Sequence, residues 1–253
     1  MPQISAIIPI RNRSGLRLEN CVRSLRWQQG LVPDALEIVL SDFGSNAAHL
    51  SSVYKIANEF DARVVSHSTE EVWNRSRALN IGVQAATARL VFCTDADMIF
   101  APDFVSHLLA LETEHRGATG AIVVAPCFDL PEGAVDDALD VSDFPALLDK
   151  SELRDTNGTG ACQVAERAFF DAIRGYDEGY KYWGGEDDDL AFRANRYGLK
   201  RVSVGDRSAM LHQWHPTMKN DRPVQRKLNT WRFKLTRHRV VKNTKGWGTR
   251  GPA

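Results

Sequence analysis

Apolar and polar positions follow two periods along this chain. Residues 4–10, "ISAIIPI", form the short β-branched apolar run that a strand buried on both faces requires, and "RNRSG" behind it has the composition of a loop. Leu18, Cys21, Val22 and Leu25 then recur at helical spacing. The pair repeats. Strand "LEIVLSD" leads through "FGSN" to a helix carrying Leu50, Val53, Tyr54 and Ala57. Strand "ARVVS" precedes a helix through Ala78, Leu79, Ile81, Gly82 and Ala85, and strand "RLVFCT" ends at "DAD". Strands alternating with helices predict an α/β protein with a mostly parallel central sheet and helices on both faces.

The second half is less regular. A helix is predicted after Pro102, then strand "AIVVAP", an acidic, loop-rich insertion over about 128–156, and a strand in "TGACQVAE". Gly175 and Gly198 close helices in "RAFFDAI" and "DDDLAFRANRYG", and "KRVSV" reads as the last strand. Beyond Trp231 the chain is polar and basic and reads as a mobile tail, with a basic helix in "WRFKLTRHRVV" carrying apolar Trp231, Phe233 and Leu235 as the other reading, opposed by its poor stripe.

Composition changes this picture little. The 253 residues are 43% hydrophobic and 25% charged, ordinary for a globular protein of one or two domains. Lys plus Arg and Asp plus Glu both number 32, so net charge gives no case for nucleic acid as a partner. The distribution is uneven: from Arg222 onward there are Lys and Arg but no acid. That extension, 222–253, reads as a cover for a phosphate-bearing ligand, as a peripheral contact with an anionic membrane at its inner face, or as a solvated tail. Cys21, Cys93, Cys127 and Cys162 lack metal-site spacing and read as buried thiols of a reducing compartment. "MPQISAIIPIRNR" has no basic leader and no stretch reaches membrane-span length, which predicts a soluble, cytoplasmic protein. The N-x-S/T matches at Asn12, Asn74 and Asn157 then carry no meaning.

Open parallel sheets bind ligands at the carboxyl ends of their strands, which points to Arg11, Asn12, Asp42, Asp95 and Asp97. If "DAD" is extended, its two carboxylates point the same way and can hold one hard cation such as Mg²⁺ or Mn²⁺. His212 and His215 in "LHQWHP" follow the last predicted strand, and imidazole beside carboxylate suits Mn²⁺. "WGGEDDD" at 183–189 sets four acids behind an aromatic and two glycines. A solvated helix start explains the acids alone. "GWGTRG" neither follows a strand nor opens a helix, and no GxxxxGK[ST], HExxH or GxSxG is present, which argues against P-loop, zincin and serine-hydrolase chemistry.

These segments resemble the GT-A-fold, nucleotide-sugar-dependent glycosyltransferases over about residues 4–216. "SAIIPIRNR" is similar to the family-2 opening, "VLSDFGSN" to its acidic turn with Phe43 in place of a second acid, and "RSRALNIGVQAATARLVFCTDAD" to the segment ending in its metal-binding DxD. "FFDAIRGYDEGYKYWGGEDDDLAFRANRYG" resembles the C-terminal segment of β-1,4-galactosyltransferases and related bacterial enzymes. The resemblance implies one catalytic domain, 1–221, with a nucleotide-binding half to about residue 100 and an acceptor and metal half beyond it.

The roles it implies are these. Asp42 holds the base of the nucleotide, in a pocket lined by Pro9 and Arg11. Arg77 faces base or diphosphate. Asp95 lies near ribose and metal. Asp97 ligates Mn²⁺ or Mg²⁺, with His212 preferred over His215 to complete the shell. Asp187 is the general base, Glu186 orients acceptor hydroxyls, and Trp183, Gly185 and Asp188 contact the acceptor, Trp183 by stacking on a sugar. The expected partners are a nucleotide-sugar donor, with uracil favoured by Asp42, and a sugar or glycan acceptor. The unbroken "EDDD" favours inversion, and the first turn of a helix is expected to keep Asp187 ionised. A sugar-nucleotide pyrophosphorylase is the second reading, opposed by a glycine-poor "RNRSG"; a non-catalytic sugar-binding module is the third.

Overall fold

Seven apolar-rich residues in a row need cover on both faces, and β1, Ile4–Ile10, obtains it at the heart of a sheet where each of its residues is buried. The computed structural model describes residues 1–117, 120–154, 160–182, 184–216 and 223–249. After β1 the chain alternates as expected through α1 (Leu16–Arg26), β2 (Leu36–Phe43), α2 (Ala47–Glu59), β3 (Arg63–His67), α3 (Arg75–Ala85) and β4 (Leu90–Cys93). There follow β5 (Met98–Phe100), α4 (Phe104–His115), β6 (Ala121–Val124), β7 (Cys127–Asp129), α5 (Phe144–Lys150), β8 (Glu152–Leu153) and β9 (Gln163–Glu166). The order closes with α6 (Arg167–Ile173), α7 (Glu186–Tyr197), β10 (Lys200–Ser203), β11 (Met210–His212) and α8 (Pro223–Thr236).

The main sheet has the order β10-β6-β9-β4-β1-β2-β3. All its pairs are parallel except those of β9, which lies antiparallel between β4 and β6. Alternation along β1 divides the core: Ile4, Ala6, Ile8 and Ile10 pack with residues of α1, α2 and α4, whereas Ile7 faces α3, α6 and α7. A second, small sheet, β5-β11-β7-β8, stands at the carboxyl end of β4.

Three expectations need correction. The inward stripe of α2 is Val53, Ile56 and Ala57, with Tyr54 exposed, because the helix covers only the edge of the sheet. "KRVSV" is followed by another strand, β11, and the insertion holds α5 and β8. The C-terminal tail is built into the body. Trp247 is buried in the cluster of α3 and α6, and its carbonyl accepts from Gln84 Nε2 at 2.7 Å. Buried Lys242 places Nζ 3.1 Å from Asp177 and 3.3 Å from Asp189, two fully buried acids. Among the described residues no helix is long and apolar enough to cross a membrane. All four cysteines are free and buried.

Candidate active site

Asp97, His212 and His215 converge beyond the end of β4, with ligand atoms all within 4.8 Å of one another. The small sheet delivers the histidines: β11 pairs with β5 and β7 in a register that sets His212 opposite Asp129. The Asp129 carboxylate accepts from His212 Nδ1 at 3.0 Å, so Nε2 carries the lone pair. The Pro216 carbonyl accepts from His215 Nδ1 at 3.0 Å, with the same result. The two Nε2 atoms stand 3.3 Å apart, and that of His215 is 3.3 Å from Asp97 Oδ2. With both rings neutral, two Nε2 lone pairs and the Asp97 carboxylate face one point, a donor set that fits a divalent metal with an affinity for imidazole; when the His215 ring is charged, its Nε2–H donates to Asp97 instead. Burial opposes ionisation of Asp97, but the His215 hydrogen bond and the charges of His212 and Arg13 outweigh it and hold the carboxyl below its ordinary value. The hydrogen bond to Asp97 raises His215 above its ordinary value, whereas burial lowers His212.

Asp95 does not join this group. The chain turns at residues 96–97 instead of staying extended, and Asp95 faces Arg75, the first residue of α3. Arg75 is the hub that sequence reasoning missed. Its Nε donates to Asp95 Oδ1 at 2.8 Å, one terminal nitrogen to Asp187 Oδ1 at 2.7 Å and the other to the Gly160 carbonyl at 2.9 Å. Glu186 lies 3.8 Å from the same guanidinium. Arg77 turns elsewhere: it pairs with Glu71 at 2.8 Å, and the Glu71 carbonyl also accepts from Arg11.

Segment 186–189 divides its four acids among separate surroundings. Glu186 is buried, its Oε2 has no hydrogen-bond partner, and burial with the adjacent Asp187 charge lifts its pKa to about 8. Burial also raises Asp187 above its ordinary value, against the pull of Arg75. Asp188 is exposed. Asp189 is fully buried and paired with Arg193 at 2.7 Å. The glycines have a backbone reason. Gly184 and Gly185 sit at φ of 100° and 97°, the left-handed region, and turn the chain into α7. Gly185 and Asp188 line a cavity of about 280 Å³ with Arg226, Thr230 and Phe233 of α8. Trp183 lies outside the described residues.

Asp42, the last residue but one of β2, is almost wholly buried, accepting from the Ser45 backbone at 3.2 Å and the Ser66 hydroxyl at 2.9 Å. Pro9 is buried in β1 beside it, opposite Ser41. Phe43 replaces a second acid with a ring stacked on His67 at 5.6 Å between centroids.

A mostly parallel sheet with one antiparallel insertion, a small second sheet and a cluster of strand-end acids defines the GT-A glycosyltransferase fold. Solved structures agree. The Staphylococcus aureus TarS fragment 1-349 in complex with UDP superposes with a TM-score of 0.63 at 16% identity, over 85% of this chain and 61% of that one. GalNAc-T7 with UDP, GalNAc and Mn²⁺ gives a TM-score of 0.63 at 21% identity, over 85% of this chain and 44% of that one. The model of glycosyl transferase family 2 matches residues 5–171, and the chain belongs to that family. Residues 150–216 match the model described as the N-terminal domain of galactosyltransferase. Among curated proteins, the validoxylamine A glucosyltransferase of Streptomyces hygroscopicus subsp. limoneus is 25% identical over 229 residues, covering 79% of this chain and 49% of the relative. Its counterpart in subsp. jinggangensis, also 25% identical, is covered over 53%. The chain thus spans about half the length of the curated relatives it matches.

Proposed function

We propose that this protein transfers a sugar from a nucleoside-diphosphate donor, with a UDP-sugar favoured, to a hydroxyl of a sugar or glycan acceptor, with inversion and with Mn²⁺ or Mg²⁺. The observation that carries this reading is the single guanidinium of Arg75, which holds Asp187 and Asp95 together while Asp97, two residues on, belongs to the metal-ligating trio. One clamp therefore ties the place where a proton is accepted to the place where a diphosphate binds.

Asp97, His212 and His215 would hold the cation, which supplies charge neutralisation for the departing diphosphate. Asp42 recognises the base beneath the Pro9 and Arg11 segment, and Arg77 stays at that rim with Glu71. The acceptor sits over Gly185 and Asp188. Arg75 occupies Oδ1 of Asp187, and Oδ2 has no hydrogen-bond partner among the described residues. That oxygen takes the proton of the acceptor hydroxyl as the new O–C bond forms at the anomeric carbon and the bond to phosphate breaks, its electrons leaving with the diphosphate. The raised pKa of Asp187 brings a general base nearer to the operating pH. Glu186, protonated at neutral pH, has a free oxygen with which to orient the acceptor. Residues 1–221 act as one catalytic domain in the cytoplasm, with 222–253 as its extension.

Isothermal titration with UDP and GDP, with and without Mn²⁺, tests the donor side. Binding of UDP that requires Mn²⁺ and disappears in Asp97→Asn is expected. On the acceptor side, Asp187→Asn keeps nucleotide binding and lowers turnover about 10²- to 10⁴-fold. Transfer at an unchanged rate by that variant would overturn the assignment.

A further inference from the structure

Helix α8 presents its faces in the reverse of the usual order. The side against the body is polar. Buried Asn229 donates to the carbonyls of Lys181 and Gly184 at 3.1 and 3.0 Å, Arg232 forks onto Asp177 at 2.9 and 2.5 Å, and Thr236 Oγ1 accepts from Lys242 at 2.6 Å. The solvent side is apolar: Val224, Leu228, Trp231 and Leu235 are exposed to 70, 56, 68 and 63%. Steps of four, three and four residues confine them to an arc of about 60°. A single exposed leucine needs no explanation, but a four-residue ridge that includes a tryptophan does.

Charge says what covers the ridge. Lys227 and Lys234 stand on its flank, both exposed and without an ion-pair partner among the described residues. Arg237 and Arg239 extend the positive field, and from Arg222 onward the chain has no acid. Two copies joined along this ridge would bring like-charged rows together with nothing to neutralise them. An apolar face with Trp and Leu, bordered by lysines, matches instead a helix lying in the headgroup region of an anionic bilayer.

We propose that α8 is a membrane-docking helix, with the ridge of Val224, Leu228, Trp231 and Leu235 immersed among acyl chains and Lys227 and Lys234 on anionic headgroups. Arg226, Thr230 and Phe233, on the side of the helix turned away from the ridge, line the cavity at Gly185 and Asp188, so docking leaves that cavity facing away from the bilayer.

Co-sedimentation with vesicles tests this without reference to sugar transfer. The full chain is expected to bind phosphatidylcholine vesicles containing about 30% phosphatidylglycerol, and to be released as salt rises from about 0.1 to about 0.5 M. Pure phosphatidylcholine should retain little. Lys227→Glu with Lys234→Glu should weaken binding about thirtyfold or more, and Leu228→Gln, Trp231→Gln and Leu235→Gln together should reduce it to background. Circular dichroism should show both variants folded, since every altered side chain is exposed. No binding to either vesicle, equal binding to both, or undiminished binding by the triple variant overturns the proposal. So does a concentration-dependent dimer in vesicle-free solution that the triple substitution abolishes, because the ridge would then be a contact between copies.

Discussion

Four neighbouring carboxylates repel one another unless each is given its own surroundings, and residues 186–189 are separated in this way by helix geometry and by which cation each one meets. Glu186 receives no full counter-charge and keeps a proton instead, with a folded pKa of about 8 against an ordinary 4.5. An acid shifted upward binds more protons folded than unfolded, so its contribution to stability falls as pH rises between those two values. Glu186→Gln removes that penalty. Its melting temperature should exceed the parent's by several degrees at about pH 8.5 and match it at about pH 4, as thermal melts across pH will show. Arg75→Met leaves buried Glu186 and the partly exposed Asp187 and Asp95 without their shared cation. It should cost about 3–5 kcal/mol in urea denaturation, with Arg75→Lys recovering part of the loss. Sequence pattern drew attention to Arg77, yet residues two apart on a helix point about 200° apart, so only one of Arg75 and Arg77 can face the strand ends. Which one does so depends on how α3 lies on β1 and β2, and no local pattern encodes that.

At the scale of elements, long apolar runs were legible and short ones were not. β1, β2, β4, α1 and α3 stand where hydrophobic period places them, because each is long enough to show a repeat. β5 and β11 have three residues each, too few for alternation, yet they carry His212 to Asp97 and align it with Asp129. Asp129 lies in the acidic insertion, where nothing in the sequence distinguished it from its acidic neighbours. The basic tail was legible only in part for a related reason: counting charges left a ligand cover, a membrane contact and a solvated tail open, whereas Arg232 and Lys242 neutralise Asp177 and Asp189 inside the body. Lys242→Met should therefore destabilise the protein by about 2 kcal/mol in urea melts, less than a wholly orphaned pair, because Asp177 keeps Arg232 and Asp189 keeps Arg193.

Over the whole molecule, the trio of Asp97, His212 and His215 joins the end of the parallel sheet to the small sheet, so a bound cation should stiffen the two as one unit. Mn²⁺ at about a hundred times its dissociation constant should stabilise the fold by about 2.7 kcal/mol, and His215→Ala should abolish the gain. Imidazole binds metal only when deprotonated, and His215 holds its proton above its ordinary range. The Mn²⁺-induced rise in melting temperature should thus shrink as pH falls from about 8 to about 6.

The position of β9 bears on how such a protein is made. β4 and β6 are not neighbours in the sheet; each hydrogen-bonds to β9, which is synthesised after both. A nascent chain halted short of Glu166 carries two unpaired strand edges, of "LVFC" and "AIVV", with nothing between them. The N-terminal half is then an unfinished sheet rather than a folding unit, and its survival on the ribosome depends on how soon the next forty or so residues emerge or on a chaperone that shields those edges meanwhile.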